Sequence, residues 1–157
     1  MIELIIETLS WIIAILLFYF YGLRTKYREA ILSFLFMQFI TWPLGFVVAE
    51  MKLISYPVRF FEYASRSSFT FEYFIFPVVA ALYTVYYPKN SSKIKKVFYS
   101  FLIVSVLTAA EFILERYTDN IEYLKWDWYW SWLTMLVTLQ IAYHGTYWFI
   151  KNIKKFV

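Results

Sequence analysis

Five apolar stretches, each about 20 residues long, alternate with short charged segments in this chain of 157 residues and restrict its fold more than any other feature. The hydrocarbon core of a bilayer is ~30 Å thick, and a helix of about 20 mostly apolar residues crosses it. The stretches cover about residues 4–21, 30–49, 71–87, 97–114 and 128–150. We therefore predict an all-α integral membrane bundle of five transmembrane helices, forming a single domain over residues 1–157.

The composition favours the same class of protein. Hydrophobic residues make up 62% of the chain and charged residues 17%, whereas a soluble domain has roughly half and a quarter. The chain has no Cys, which excludes disulfides, a thiolate nucleophile and Cys-ligated metals. The first stretch begins with Glu3 and Glu7 rather than with a basic segment, so we interpret it as a retained helix and not as a cleaved signal peptide.

The basic residues predict the orientation. Ten of the fifteen Lys and Arg residues fall at one membrane face, in the first and third connections and at the C-terminus. Cytoplasmic loops carry this excess of positive charge. With an odd number of helices, these ten residues all fall at the cytoplasmic face, which places the N-terminus outside and the C-terminus inside. The ten are Arg24, Lys26, Arg28, Lys89, Lys93, Lys95, Lys96, Lys151, Lys154 and Lys155.

The acidic residues collect at the opposite face. Ten of the eleven Asp and Glu residues lie outside on this topology, and Glu29 is the exception. Carboxylates contribute little to membrane orientation. Their clustering therefore calls for another reason, such as a site that binds cations.

The two outer connections are longer than simple turns. In residues 54–68, Arg59, Glu62 and Arg66 recur at helical spacing among aromatic residues, which predicts a short helix lying in the outer interface. Residues 116–127 lead into a Trp-rich segment that is typical of an aromatic belt at the membrane surface.

Carboxylates near the outer ends of four predicted helices are the main candidates for function, because ionisable groups within a membrane are costly. Glu111 and Glu115 lie four residues apart and share a helix face. Carboxylates held close together repel unless a cation, a proton or an Arg relieves the repulsion. The candidates for ligand or ion binding are Glu7, Glu50, Glu72, Glu111 and Glu115, with Arg59 and Arg116 as available partners. The alternative is a structural cluster of salt bridges and hydrogen bonds at the rim of the bundle.

Polar residues at mid-membrane depth form a second set, consisting of Gln38, Gln140 and His144. Hydrogen bonds between helices account for side chains of this kind, and a proton relay through His144 is the alternative. Pro43 and Pro77, inside the second and third stretches, should kink those helices. The sequence predicts neither a metal site nor a cofactor, since His144 is the single His and no phosphate-binding or hydrolase motif occurs.

Several short motifs resemble those of one protein family. They lie at Tyr56–Phe60, Phe71–Pro77, Tyr87–Pro88, Glu111–Arg116 and Ile121–Trp128. Together they make the chain, from about residue 30 to the C-terminus, similar to an uncharacterised family of small five-helix membrane proteins from endospore-forming bacteria. The resemblance implies a bacterial cytoplasmic membrane and implies no activity, substrate or catalytic residue.

Three classes of function stay open on the sequence. The first is cation- or proton-coupled transport through the outer carboxylate cluster. The second is an accessory protein that binds a lipid or a partner membrane protein, and the third is a membrane enzyme that acts on lipid with paired carboxylates. The sequence favours a non-enzyme. The lipid bilayer is the expected partner and a nucleic acid is not, while a homo-oligomer remains an alternative.

Overall fold

The computed structural model describes residues 2–153 and is mostly helical, which confirms the all-α class. Three helical stretches in this part of the chain are long and apolar enough to cross a membrane, namely Ile2–Glu50, Phe69–Tyr86 and Lys93–Tyr117. Two of the basic residues used for the orientation, Lys154 and Lys155, lie outside the described residues.

The first two helices are joined by a bend instead of the loop that we expected. Helix α1 (Ile2–Leu17) continues through a π-helical turn (Phe18–Leu23) directly into α2 (Arg24–Glu50), and Lys26 alone has a non-helical backbone, with φ −143° and ψ 72°. In a straight helix the rings of Phe18 and Phe34 would lie about 24 Å apart. Their centroids are 5.1 Å apart, so the chain folds back on itself at this bend.

Pro77 explains the form of the next helix. A π-helical segment (Phe69–Ile75) precedes α3 (Phe76–Tyr86), and the Ser68 hydroxyl caps its start by accepting from the Phe71 N–H at 3.1 Å. Pro77 has no N–H, so the carbonyls of the preceding turn need other donors. Gln38 Nε2 donates to the Tyr73 carbonyl at 3.0 Å, and Thr41 Oγ1 donates to the Glu72 carbonyl at 2.7 Å.

The last two helices, α4 (Lys93–Tyr117) and α5 (Trp128–Ile153), complete the bundle. Helix α3 lies at its centre, where Ala80 and Tyr83 pack against Met37 of α2, and the same cluster includes Val104 of α4 and Leu139 of α5. Helix α1 lies at the edge, and most of its large side chains are exposed.

The two long connections are clipped together at one end of the bundle. Strand β1 (Ile54–Ser55) pairs antiparallel with strand β2 (Glu122–Tyr123), with Ile54 opposite Tyr123. The N–H groups of Leu124 and Lys125 both donate to the Leu53 carbonyl at 3.0 Å. We call residues 51–68 and 118–127 together the clasp.

The helix predicted for residues 54–68 is wrong. That segment consists of β1 followed by turns, and Phe61 has a positive φ of 61°. The Arg59 guanidinium donates to the carbonyls of Tyr56 at 2.5 Å, Ser65 at 2.7 Å and Glu62 at 3.0 Å. Because these carbonyls bond to a side chain instead of to N–H groups four residues on, the chain wraps around the guanidinium and no helix forms.

Candidate functional site

A cavity of about 160 Å³ lies beneath the clasp, between α2, α4, α5 and the π-helical segment before α3. Both Glu72 and Glu111 line it, together with Tyr56 from the clasp and Ser131 from α5. Apolar side chains such as Leu44 make up much of the remaining wall. The carboxylates therefore share a small space that is otherwise largely apolar.

Glu111 is held by a fixed set of donors. Its side chain is 8% exposed, and its Oε1 accepts from the Tyr123 and Ser131 hydroxyls, each at 2.5 Å. The Trp126 indole N–H donates to Ser131 Oγ at 2.9 Å, which orients that hydroxyl towards the carboxylate. Both hydrogen bonds end on Oε1, so Oε2 is the oxygen left for an occupant of the cavity.

Glu72 approaches from the opposite wall, where Gly45 makes room for it. A Cβ at position 45 would lie 2.9 Å from Glu72 Cγ and 2.5 Å from Ser67 Oγ. The Tyr56 side chain lines the same cavity and lies close to the Glu72 carboxyl group. The clasp thus contributes a tyrosine to each carboxylate, Tyr56 to Glu72 and Tyr123 to Glu111.

Among the described residues, the ionisable side chains that line the cavity are Glu72, Glu111 and Tyr56. None of the described residues that line it is Lys, Arg or His. Burial and the nearby carboxylates of Glu72 and Glu111 raise the pKa of Tyr56 well above its ordinary value. Burial first, and then the Glu111 carboxylate, raise the pKa of Tyr123 as well. Both tyrosines consequently remain hydrogen-bond donors at any physiological pH.

The two arginines considered as partners lie elsewhere. Arg59 is occupied by the carbonyls of the clasp, and Arg116 is exposed at the end of α4. Glu50 lies on the surface and pairs with Arg66 at 3.3 Å. Glu115 is half-buried and lies one turn beyond Glu111 on α4.

Glu7 is buried in a separate place, between α1 and the clasp. Its side chain is 5% exposed and lies near the Phe60 backbone and the Thr70 side chain. Its Oε2 has no hydrogen-bond partner among the described residues. Of the five candidate carboxylates, the structure brings Glu72 and Glu111 together in the cavity.

The three polar residues predicted to lie at mid-membrane depth have different surroundings. Gln38 supports the turn before Pro77. Gln140 Nε2 donates to Tyr83 Oη at 2.8 Å and to Ser100 Oγ at 3.1 Å, which links three helices. His144 is exposed and contacts the ring of Tyr143, 5.1 Å between centroids. Gln140 and His144 therefore do not form one internal polar path.

Sequence reasoning missed Tyr56, Tyr123 and Ser131, the side chains that complete the site. A weak signal was present for α5, because Ser131, Thr134 and Thr138 recur at helical spacing and all line the cavity. The two tyrosines carry no such signal, since they reach the carboxylates only through the pairing of two distant connections.

The size and the donors of the cavity limit its occupant. A cavity of about 150 Å³ accepts a molecule the size of benzene, so a small cation with some of its water fits and a large substrate does not. Carboxylate and hydroxyl oxygens are ligands for hard cations. Within residues 2–153, no group of three or more His, Cys, Asp or Glu side chains converges as a metal site. Two carboxyl groups that share so small a space can share a proton or a small hydrated cation.

Comparison with known proteins gives no family for the chain: no protein-family model matches it, and no curated protein or solved structure is detectably similar to it.

Proposed function

We propose that the protein is an integral membrane protein in which all five helices cross the bilayer. The support is that the most apolar helical stretches are also the least buried within the protein. The most apolar windows of Ile2–Glu50 and Lys93–Tyr117 have mean hydropathies of 2.0 and 2.1, yet only 11% and 22% of their residues are buried. A soluble protein rarely leaves apolar surface of this extent in contact with water, whereas lipid covers it without cost.

The geometry of two segments supports the proposal of five crossings. Ile2–Glu50 has 49 residues and folds back at Lys26, so it provides two antiparallel spans. Helix α5 is less apolar because of its Trp, Tyr and Thr residues. It has 26 residues, and its Met135, Leu139 and Ala142 lie in the same core as α2, α3 and α4. Its length and its packing among these helices support a fifth crossing by α5.

The clasp end is proposed to face outward, in the bacterial cytoplasmic membrane that the family resemblance implies. The positive residues collect at the other end of the bundle, as cytoplasmic ends do. The N-terminus then lies outside and the C-terminus inside.

We propose cation- or proton-coupled transport as the activity. The observation that carries this proposal is that Glu72 and Glu111 line one cavity without a Lys, Arg or His among its described lining residues. Two carboxylates that share a cavity repel, and either a proton or a cation between them relieves the repulsion. When the site alternates between a bound proton and a bound cation, the movement of cations is coupled to the movement of protons. Because ionisable groups within a membrane are costly, carboxylates at this depth mark ion pathways.

Release to the outside requires the clasp to move. Tyr56 and Tyr123 lie over the carboxylates, and both belong to the clasp. Separation of β1 from β2 would withdraw a hydroxyl from each carboxylate and open the cavity. The clasp is therefore proposed as the outer gate of the transport site.

Flux measurements in liposomes test this function. Purified protein is reconstituted with a pH-sensitive dye inside, and Na⁺ or K⁺ is added outside. The wild-type protein is expected to move protons in response, and the Glu111→Gln and Glu72→Gln variants are expected to lose that response. The matched control is Glu50→Gln, since Glu50 is an exposed carboxylate outside the cavity. Equal flux in all four proteins would refute transport through this site, and no flux in any of them would favour the accessory or enzymatic alternatives.

A further inference from the structure

A groove runs along the seam between α4 and α5, apart from the carboxylate cavity. Its first part, the basal chamber, has a volume of about 360 Å³ and is lined by Lys96, Val97, Ser100, Phe101, Trp132 and Gln140, among others. Its second part, the upper chamber, has a volume of about 630 Å³ and includes Phe101, Ser105, Ala109, Phe112 and Trp132 in its wall. The chambers adjoin at Phe101 and Trp132, which belong to both walls and whose rings pack edge to face with 5.4 Å between centroids.

The residues of α4 that line the groove wind around the helix. At about 100° per residue, Ser100 lies about 40° from Lys96 and Phe112 about 160° from it, so the two chambers occupy adjoining faces of α4. At 1.5 Å per residue, Lys96 and Phe112 are about 24 Å apart along the helix axis, which exceeds the ~15 Å depth of one leaflet, half of the ~30 Å core. The groove is thus long enough to hold an acyl chain along its whole length in a leaflet.

The upper chamber presents almost no polar group to an occupant. Ser105 Oγ accepts from the Trp132 indole N–H at 3.1 Å, and Thr108 Oγ1 donates to Met135 Sδ at 3.9 Å. The hydroxyls in this wall are therefore used by neighbouring side chains. What remains is a surface of aromatic rings and methyl groups that suits a hydrocarbon chain.

The basal chamber differs because the positively charged side chain of Lys96 lines it. Lys96 is only partly exposed, and its ammonium has no acceptor among the described residues. Lys93 and Lys95 lie beside it, so the surrounding surface is positive as well. A partly buried ammonium without a partner attracts an anion.

We propose that this groove is a binding site for one anionic phospholipid of the inner leaflet. Its phosphate lies at Lys96, and one acyl chain passes Phe101 and Trp132 into the upper chamber. Charge complementarity at one end and a hydrocarbon wall at the other match an amphiphile, whereas a second copy of the chain would bring mainly apolar helix surface to Lys96. This inference rests on the proposed membrane insertion and orientation, and it is independent of the carboxylate cavity.

Native mass spectrometry of the detergent-solubilised protein tests the proposal. The protein is mixed with phosphatidylglycerol and phosphatidylcholine at equal mole fractions, and the retained lipid is identified and counted. The wild-type protein is expected to retain one phosphatidylglycerol in preference to phosphatidylcholine. Lys96→Gln is expected to lower that preference about fivefold, the effect of one basic residue on an anionic lipid. Lys95→Gln, in which the neighbouring exposed lysine is neutralised, is expected to lower it by less, because solvent and salt screen an exposed charge.

A second pair of variants tests the chain-binding part of the groove. Val97→Trp places an indole in the basal chamber and should reduce retention of both lipids. Ile94→Trp adds the same bulk on the same turn of α4, at a position that is 82% exposed, and should not reduce it. Both sites are on the surface, since Val97 is 68% exposed, so folding is retained and is checked by circular dichroism.

Three outcomes would overturn the proposal: equal retention of the two lipids by wild type, equal effects of Lys96→Gln and Lys95→Gln, or a dimer without lipid that Val97→Trp dissociates. Failure of the membrane proposal looks different, because the protein would then remain monodisperse in buffer without detergent.

Discussion

At the scale of single residues, Gly45 decides how closely two walls of the carboxylate cavity approach each other. The absent side chain leaves space that Ser67 Oγ and Glu72 fill, and an added Cβ would meet Ser67 Oγ at 2.5 Å. Real Cβ atoms do not tolerate such a contact, so any larger residue must displace the carboxylate or its neighbour. Gly145 provides a comparison, because its nearest neighbour, the ring of Phe36, would lie 3.5 Å away.

We expect Gly45→Ala to lower the stability by about 1–3 kcal/mol, the usual cost of overpacking, and to reduce cation-driven flux because Glu72 moves. Gly145→Ala should be neutral or slightly stabilising, since Ala forms helices better than Gly by up to ~1 kcal/mol. Thermal unfolding in detergent measures both effects. Equal melting temperatures for the two variants would show that a Cβ at position 45 fits without displacing Ser67 or Glu72.

The two tyrosines of the clasp should make the stability of the clasp fall at high pH. Burial and the carboxylates raise the pKa of Tyr56 and of Tyr123 in the folded protein, whereas an unfolded Tyr has a pKa of about 10. A group whose folded pKa is raised stabilises the fold below its unfolded pKa, and this contribution is lost as the pH rises through the folded pKa. The clasp should therefore hold at pH values up to about 10 and weaken above that.

An absorbance titration of tyrosinate tests this expectation. The native protein should show a late phase that Tyr123→Phe reduces by one tyrosine, while the early phase is unchanged. In denaturant the late phase should merge with the early one for both proteins. A Tyr123→Phe curve that lost its tyrosine from the early phase would contradict the buried contact with Glu111.

At the scale of the element, the turn before Pro77 is stabilised by another helix. Gln38 and Thr41 donate hydrogen bonds to the carbonyls of the preceding turn, to which Pro77 cannot donate because it has no N–H. Loss of the Gln38 amide leaves a carbonyl unpaired, which costs roughly 1–3 kcal/mol when the group is buried. The kink and its partner residues thus form one unit.

A double-mutant cycle measures this coupling. Gln38→Leu should destabilise the protein by about 1–3 kcal/mol. Pro77→Ala restores an N–H to the turn, so Gln38→Leu should cost less in that background. Additive effects of the two substitutions in thermal unfolding would show that Gln38 supports something other than the proline turn.

The elements also show how much the sequence could predict. Long apolar segments predict helices well, because backbone groups in such segments bond locally. The clasp was not predicted, since a pair of two-residue strands depends on contacts between residues that are distant in sequence. The spacing of Arg59, Glu62 and Arg66 likewise predicts a helix. The Arg59 guanidinium instead donates to three backbone carbonyls of its own segment, so no helix forms there. Glu72 and Glu111 were identifiable by the cost of placing a charge in an apolar helix, whereas their partners Tyr56 and Tyr123 were not.

At the scale of the whole molecule, the proposed orientation in a membrane determines which solution the carboxylate cavity meets. The chain has no Cys, so a single introduced cysteine reports one position without background. Tyr63 is 98% exposed in the clasp, and Asn90 is exposed in the connection at the opposite end.

A membrane-impermeant maleimide applied to intact cells should label Tyr63→Cys, and it should label Asn90→Cys only after lysis. The reverse pattern would invert the proposed orientation and place the cavity at the cytoplasmic side. Labelling of both positions in intact cells would contradict a crossing by α3. The comparison needs no functional protein, so it is independent of the transport assay.

The bend at Lys26 has a consequence for biogenesis. Helices α1 and α2 are joined without a free loop, and their rings at Phe18 and Phe34 already touch beside the bend. For the proposed membrane insertion, this leaves no flexible tether that would let one helix enter the bilayer while the other is held back. In the proposed topology the pair enters the bilayer as a single hairpin, with Arg24 and Arg28 retained at the cytoplasmic tip while the N-terminal turn, including Glu7, is carried across.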